Sequence, residues 1–495
     1  MVQGVPALVM MLLGAWGVTR ENSMWRDEAS TWLGTHRTLP ELWRMLGQED
    51  AVHGLYYLLM HGIFVGAPDS PLTLRLPSVL AMAAAAAGTA ALGRRLGGPW
   101  VGLTAGLTFT AIPSSQYYAQ EGRSYALVVA AIVLASSLLL NALGARGRAW
   151  RLWAAYAFAM VIAVYLNELA ILALLAHGVT VLVASRAALV HWLMATGGVA
   201  LGVLPLLLIS FGQREQVSWI GAVTGSRILS VAGMVAVGCL CAAAHACSRA
   251  SAGESDMTEA GAPAPAARSG SVSLPAFALA LFAVPQATLL LASLMWQPLY
   301  GDRYVLYGNV GFALLLGAGV DRLLCCELFR MPHRRHQRIL VSLPLLALLV
   351  LLPKELAMRE WDSRIDDVLA TANAVEKRSK PGDAVIYLPA ARRDTALTSP
   401  VAFRGLRDVT LAQNGLDSAT LRGIEATPAR IRAALLRQNR IVVVSDSDIS
   451  QHRGRAGRDV AKREAITEHF VLCDETQVRG RHVAVYERGA VCGRS

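Results

Sequence analysis

The sequence predicts a polytopic α-helical membrane protein with about eleven transmembrane helices and a small α/β domain at its C-terminal end. Three observations lead there. Hydrophobic residues fill 54% of the 495 positions, and mean hydropathy is +0.42; soluble domains hold roughly 45–50% apolar residues. The apolar residues gather into blocks of about 20, the length that crosses a hydrocarbon core. From Lys354 onward the chain turns polar and mixes helix-like with strand-like runs.

The blocks fall near 4–19, 74–92, 100–114, 124–143, 150–166, 168–185, 189–210, 228–247, 274–296, 305–324 and 339–353. The first lacks a basic leader and a small-residue cleavage site, so it reads as a retained span. Arginines in the short loops set orientation. With the N-terminus in the cytoplasm, the inner loops hold Arg94, Arg95, Arg146, Arg148, Arg151, Arg186, Arg249, Arg268, Arg322, Arg330, Arg334, Arg335 and Arg338. The outer loops hold only Arg123, Arg214, Arg227 and Arg303. The net charge of +11 is therefore a topology signal, and nucleic acid is excluded as a partner.

This topology gives a membrane domain over 1–353 and an extracytoplasmic α/β domain over 354–495. Within the first, the outer loop 20–73 mixes Trp25, Trp32, Trp43, Tyr56 and Tyr57 with charges, as interfacial helices do. The stretch 248–273, rich in Ala, Gly, Ser and Pro, reads as a disordered cytoplasmic linker. In the tail a helix is expected over Arg364–Arg378, with strands at Ala384–Leu388, Ile441–Ser445 and His482–Tyr486. Cys239, Cys241, Cys247, Cys325 and Cys326 lie in or beside spans. Cys473 and Cys492 are equally compatible with one disulfide or two free thiols. No internal repeat is evident, against many secondary transporters.

Polar clusters recur where spans meet the outer face. They are Asp27-Glu28, Asp50 with His53, the run Tyr117–Tyr125, and Tyr300–Tyr304, with Asn167-Glu168 as a smaller group. Two acids at a bilayer edge are costly unless something needs them there. Converging polar groups at one face suit a sugar carried on a polyprenyl phosphate. Inverting transfer needs a carboxylate to take the acceptor hydroxyl's proton, a role open to Asp27. It needs cations on the departing phosphate, a role open to Arg123 and Arg303. Simpler readings stand beside these. The acid pair could cap a helix, Glu121 and Arg123 could form a surface ion pair, and Asp302-Arg303-Tyr304 could be a turn. His53 could be structural, and Glu168 could simply end a span.

Four segments carry a resemblance: Trp25-Arg26-Asp27-Glu28-Ala29, His53-Gly54-Leu55-Tyr56-Tyr57, Leu74-Arg75-Leu76-Pro77-Ser78 and Tyr118-Ala119-Gln120-Glu121-Gly122-Arg123-Ser124-Tyr125. Together they resemble the GT-C-fold glycosyltransferases of the protein O-mannosyltransferase and aminoarabinose-transferase superfamily, in an actinobacterial mannosyltransferase-like branch. The resemblance implies a multi-pass cell-membrane enzyme of the cell envelope that uses a polyprenyl-phosphate-linked sugar, with its active site outside the cytoplasm. It implies Asp27 as general base and Glu28 as an orienting or acceptor-binding group. It implies donor phosphate or sugar contacts from Arg123, Glu121, Tyr125, Arg303, Asp302, His53 and Tyr57. The sugar it suggests is mannose, and the acceptor a hydroxyl of a lipid, glycan or protein. Some members use a divalent metal and others do not, so a divalent metal is an open cofactor. The chain lacks room for the β-trefoil insert of the protein O-mannosyltransferases. The alternative class is a flippase or transporter of lipid-linked sugar without catalysis; it predicts ionisable groups in mid-span, where the sequence has almost none.

Overall fold

The computed structural model describes residues 2–145, 149–213, 221–259, 272–325, 333–447, 457–489 and 492. Arg146, Arg148, Arg214, Arg268, Arg330 and Cys326 lie outside the described residues.

The helices run α1 Gly4–Ala15, α2 Arg26–Thr35, α3 Leu39–Leu46, α4 Gly54–Gly66, α5 Pro71–Gly97, α6 Pro99–Ala111, α7 Pro113–Ala119, α8 Tyr125–Gly144, α9 Trp150–Leu166 and α10 Leu172–Ala184. They continue with α11 Leu189–Gly212, α12 Gly225–Glu259, α13 Leu274–Met295, α14 Gly308–Cys325 and α15 His333–Ala357. Each of the eleven predicted spans has its helix. Among the described residues, six stretches are long and apolar enough to cross a membrane: Pro71–Gly97, Tyr125–Gly144, Arg186–Gly212, Gly225–His245, Leu274–Met295 and Arg335–Ala357. The chain is a multi-pass membrane protein.

Boundaries move where local chemistry sets them. α5 starts earlier than expected because the Ser70 hydroxyl accepts from the Thr73 amide at 3.1 Å and Pro71 suits a first turn. α14 starts later because Asp302–Val305 forms a 3-10 turn. α12 continues to Glu259, into the stretch expected to be a linker. That part of the stretch has no proline to stop a helix. Residues 260–271 lie outside the described residues.

Two compact units divide the chain. The first holds 1–16, 52–56 and 75–356. Its spans pack through small residues, as helices in lipid do. A Cβ on Gly102 of α6 would lie 2.5 Å from the Ala90 carbonyl oxygen of α5. Replacing Gly102 by Leu should therefore push α5 and α6 apart, costing about 1–3 kcal/mol or more. Fluorescence-detected size exclusion in detergent should show loss of the monodisperse peak. A wild-type profile would contradict the close approach. Imidazoles do occur within the spans, and one of them links three helices. His177 of α10 has Ser136 Oγ 3.0 Å from Nε2 and Tyr156 Oη 3.1 Å from Nδ1. Both ring nitrogens are used, so the group ties α8, α9 and α10 together.

The second unit holds 17–51, 57–74 and 357–495. Most of the first loop and the tail thus share one body. The tail contributes α16 Val368–Arg378, β1 Ala384–Leu388, α17 Asp394–Thr398, β2 Arg407–Asp408, β3 Leu411–Gln413, β4 Ile424–Glu425, α18 Pro428–Leu435, β5 Arg440–Asp446, α19 Gly457–His469, β6 Val471–Val478 and β7 Arg481–Glu487. The main sheet has order β2-β1-β5-β7-β6, with β1 parallel to β2 and β5, and β7 antiparallel to β5 and β6.

Alternation along the strands feeds two cores. Val385 and Tyr387 meet Ala372 and Val375 of α16 on one face. Ala384, Ile386 and Leu388 meet Ile431 and Leu435 of α18 and Ile466 of α19 on the other. The helix expected from Arg364 starts instead at Val368. Asp367 caps it, its Oδ1 accepting from the Leu369 and Ala370 amides at 3.0 and 3.1 Å. Cys473 and Cys492 form a disulfide.

Candidate active site

The predicted residues divide between the two units. In the loop–tail unit, Trp25 is extended and α2 begins at Arg26, so Asp27 and Glu28 occupy its first turn, where helix amides favour negative charge. The two acids differ in setting. Asp27 is half-buried. Glu28 is sealed, and both its oxygens accept from Arg20 Nη2, at 2.9 and 3.0 Å.

The chain makes an unusual turn to deliver that guanidinium. Arg20, Glu21 and Asn22 have φ of +44°, +54° and +63°. Left-handed non-glycine residues cost on the order of 1–3 kcal/mol each, so such a run persists only where surrounding contacts enforce it. Tyr57 is fully buried, its hydroxyl donating to Asp50 Oδ2 at 2.9 Å. Its ring lies under α2 at Gly34, where a Cβ would come within 2.9 Å.

The tail grips the start of α2. The Arg26 amide donates to Asp366 Oδ1 at 3.0 Å, and the Met24 amide to Asp367 Oδ1 at 3.5 Å. The Val368 amide returns a bond to the Met24 carbonyl at 2.7 Å. Burial pushes the Asp367 carboxyl up; the amides of Ala370, Met24 and Leu369 offset part of this, and Asp366 adds to the rise. Arg481 reaches Asp366 from below at 3.1 Å and Asp394, on the first turn of α17, at 2.8 Å. α17 itself packs against α2. A second strap comes from 420–422: Arg37 donates to the Thr420 carbonyl at 2.6 Å, Arg422 to Ser30 Oγ at 2.8 Å, and the Leu421 amide to the Glu49 carboxylate.

Sequence reasoning missed Arg20, Asp366, Asp367 and Arg481. One signal was present: Asp367 directly before the apolar-periodic run from Val368 is an N-cap pattern. The others act across separations that no local pattern marks.

In the membrane unit, His53 ends a 3-10 turn, with its Nε2 2.6 Å from Arg123 Nη2. The guanidinium can only donate, so Nε2 accepts and the imidazole proton sits on Nδ1. Arg123 and Glu121 are buried, which removes the surface ion-pair reading. Their segment between α7 and α8 is pinned by Ser78, whose hydroxyl donates to the Glu121 carbonyl at 2.6 Å and the Arg123 carbonyl at 3.3 Å. Tyr125 opens α8. Arg303 lies 5.7 Å over its ring and 5.2 Å over that of Tyr304, a cation–π sandwich. Asp302 is exposed and pairs with Arg227. Among the described residues, no group of three or more His, Cys, Asp or Glu is placed to hold a metal ion.

A bundle of eleven long helices with a long loop after the first, and a polar α/β tail packed with that loop, makes this a GT-C fold. The particular structures it resembles include ArnT from Cupriavidus metallidurans bound to undecaprenyl phosphate, at 14% identity and TM-score 0.57 over 99% of both chains. The apo state of the same protein aligns at 13% identity and TM-score 0.59 over 97% of both chains. No family model and no curated protein sequence matches the chain.

Proposed function

We propose that the chain is an inverting membrane glycosyltransferase that moves a sugar from a polyprenyl phosphate to an acceptor hydroxyl. The unequal acid pair carries the reading. Glu28 is spent on Arg20, while Asp27, one residue earlier on a rigidly held helix turn, keeps partial access to solvent. Likeness in fold to a protein bound to undecaprenyl phosphate supports the donor class.

In this mechanism the acceptor O–H proton passes to the Asp27 carboxylate as its oxygen attacks the anomeric carbon. The bond from that carbon to the phosphate oxygen breaks, and polyprenyl phosphate leaves with the electron pair. Arg123 and Arg303 take the growing phosphate charge. His53 fixes the plane of the Arg123 fork, and Tyr125 holds Arg303 by its ring face. Glu121 and Asp302 flank these cations in sequence and belong to the same donor region. Glu28 orients α2, and Tyr57 supports it from below through Gly34. Mannose remains the proposed sugar. The extracytoplasmic placing of loop and tail rests on the arginine distribution and on the Cys473–Cys492 disulfide, since such bonds persist in oxidising compartments.

The test is transfer from radiolabelled polyprenyl-phosphomannose in membrane vesicles. Label should leave the lipid as polyprenyl phosphate appears. In Arg123→Gln the donor KM should rise roughly 10–150-fold, from the 1.5–3 kcal/mol value of a charged hydrogen bond. An unchanged donor KM would remove Arg123 from the phosphate site. Movement of intact lipid-linked sugar across the vesicle, without transfer, would favour the flippase.

A further inference from the structure

The loop–tail unit contains a cleft of about 330 Å³ whose polar lining is Glu21, Asn22, Ser23, Asp367, Asn373 and Ser399. We infer that this cleft is an acceptor subsite for a neutral polyhydroxyl ligand, the end of a glycan chain; the inference rests on the transferase reading above.

Four features carry it. Size is the first, since pockets from about 300 Å³ upward hold small organic ligands and a bare cation needs far less. Chemistry is the second. The lining offers carboxylate, amide and hydroxyl groups and no basic side chain. Hydroxyls can donate to the carboxylates and exchange bonds with the amides. A phosphate would meet Glu21 and Asp367 as like charges, so the donor headgroup does not fit.

Third, Asp367 is 4% exposed, and the three amides its carboxylate receives all fall on one oxygen. Oδ1 receives the amides of Met24, Leu369 and Ala370; Oδ2 accepts from none of the described residues. A carboxylate oxygen of a buried residue, at a cleft wall with no donor among the described residues, suits a ligand hydroxyl. Fourth, Glu21 and Asn22 keep exposed side chains on the left-handed turn, and such conformations cluster at ligand sites. The cleft also connects to the proposed base. Asp367 holds the Met24 amide, and Val368 holds the Met24 carbonyl, three residues before Asp27.

The experiment uses the full chain in lipid nanodiscs and saturation-transfer NMR, with methyl α-mannobioside as the probe and methyl phosphate and Ca²⁺ as controls. The wild type should show saturation transfer to the disaccharide, reduced at least fivefold in both Asn373→Ala and Ser399→Trp. Asn373 is exposed, so its truncation leaves the fold intact, and an unchanged melting temperature checks this. Asp27→Asn should bind the disaccharide like wild type. No disaccharide signal in the wild type, a signal equal to wild type in both cleft variants, or displacement of the signal by methyl phosphate or Ca²⁺ would each overturn the subsite. The two readings separate cleanly. Loss of transfer in Asp27→Asn without disaccharide binding leaves the transferase and sinks the cleft. Full transfer in Asp27→Asn with intact disaccharide binding does the reverse for the base.

Discussion

Asp27→Asn is expected to lower sugar transfer about 10²–10⁴-fold, the usual worth of a positioned general base, with donor KM and melting temperature unchanged. The exchange keeps size and shape and removes the negative charge, and with it the ability to take a proton. Asn tolerates the first turn of a helix, and the turn is held by the Arg26 amide on Asp366 and the Met24 amide on Asp367, bonds that do not use the Asp27 side chain. Fold damage is therefore not the expected cause of a loss. Glu28→Gln forms the contrast. Its partner Arg20 is buried with it, so that variant should lose stability as well as rate. A melting curve beside each transfer assay separates the two. Wild-type rates for Asp27→Asn at equal expression would remove it from the mechanism.

Arg481→Met is expected to be the most damaging single change in the tail. The guanidinium is fully buried between Asp366 and Asp394, themselves buried. Removing it strands two carboxylates, and breaking such a pair costs about 3–5 kcal/mol. For a unit of this size that is a fall of roughly 6–20 °C in melting temperature. Transfer should fall with it, because Asp366 also holds the Arg26 amide. A second change, Asp394→Leu, should recover part of the loss, since apolar replacements of buried pairs are tolerated.

The same site sets an acid limit. Burial alone would push the Asp394 carboxyl up, but Arg481, with Arg422 and Arg392, brings it below its ordinary value of 3.8. A depressed folded value gives stability that is present above the unfolded value and lost as pH falls through the folded one. The loop–tail unit should therefore weaken below about pH 4. An acid profile identical in Arg481→Met and wild type would contradict this.

The membrane helices were legible because lipid demands long apolar blocks, and their order came directly from hydropathy. The strands β1, β5 and β7 were legible because Val- and Ile-rich runs sat between turn residues. β6 was not, since Val471–Val478 is an edge strand with Asp474, Glu475 and Gln477 facing out. In the site, the acid pair could be located but not ranked. Asp27 and Glu28 are alike in sequence, and only the left-handed turn at Arg20 decides which is sealed. His53 and Arg123 were each visible, yet their 2.6 Å approach spans 70 positions. Asp366 and Asp367 looked like the interior of a helix beginning at Arg364 and are in fact its cap and a strut.

The bond from Arg26 to Asp366 joins residues 340 positions apart. A ribosome working at about 5–20 residues per second needs roughly 17–70 s to cover that distance. Throughout that interval the nascent loop carries its acids without the Asp366 bond that holds the start of α2. The body that holds α2 is complete only once Asp366 and the sheet behind it have been made. A chain cut short before Asp366 would keep the start of α2 without that bond.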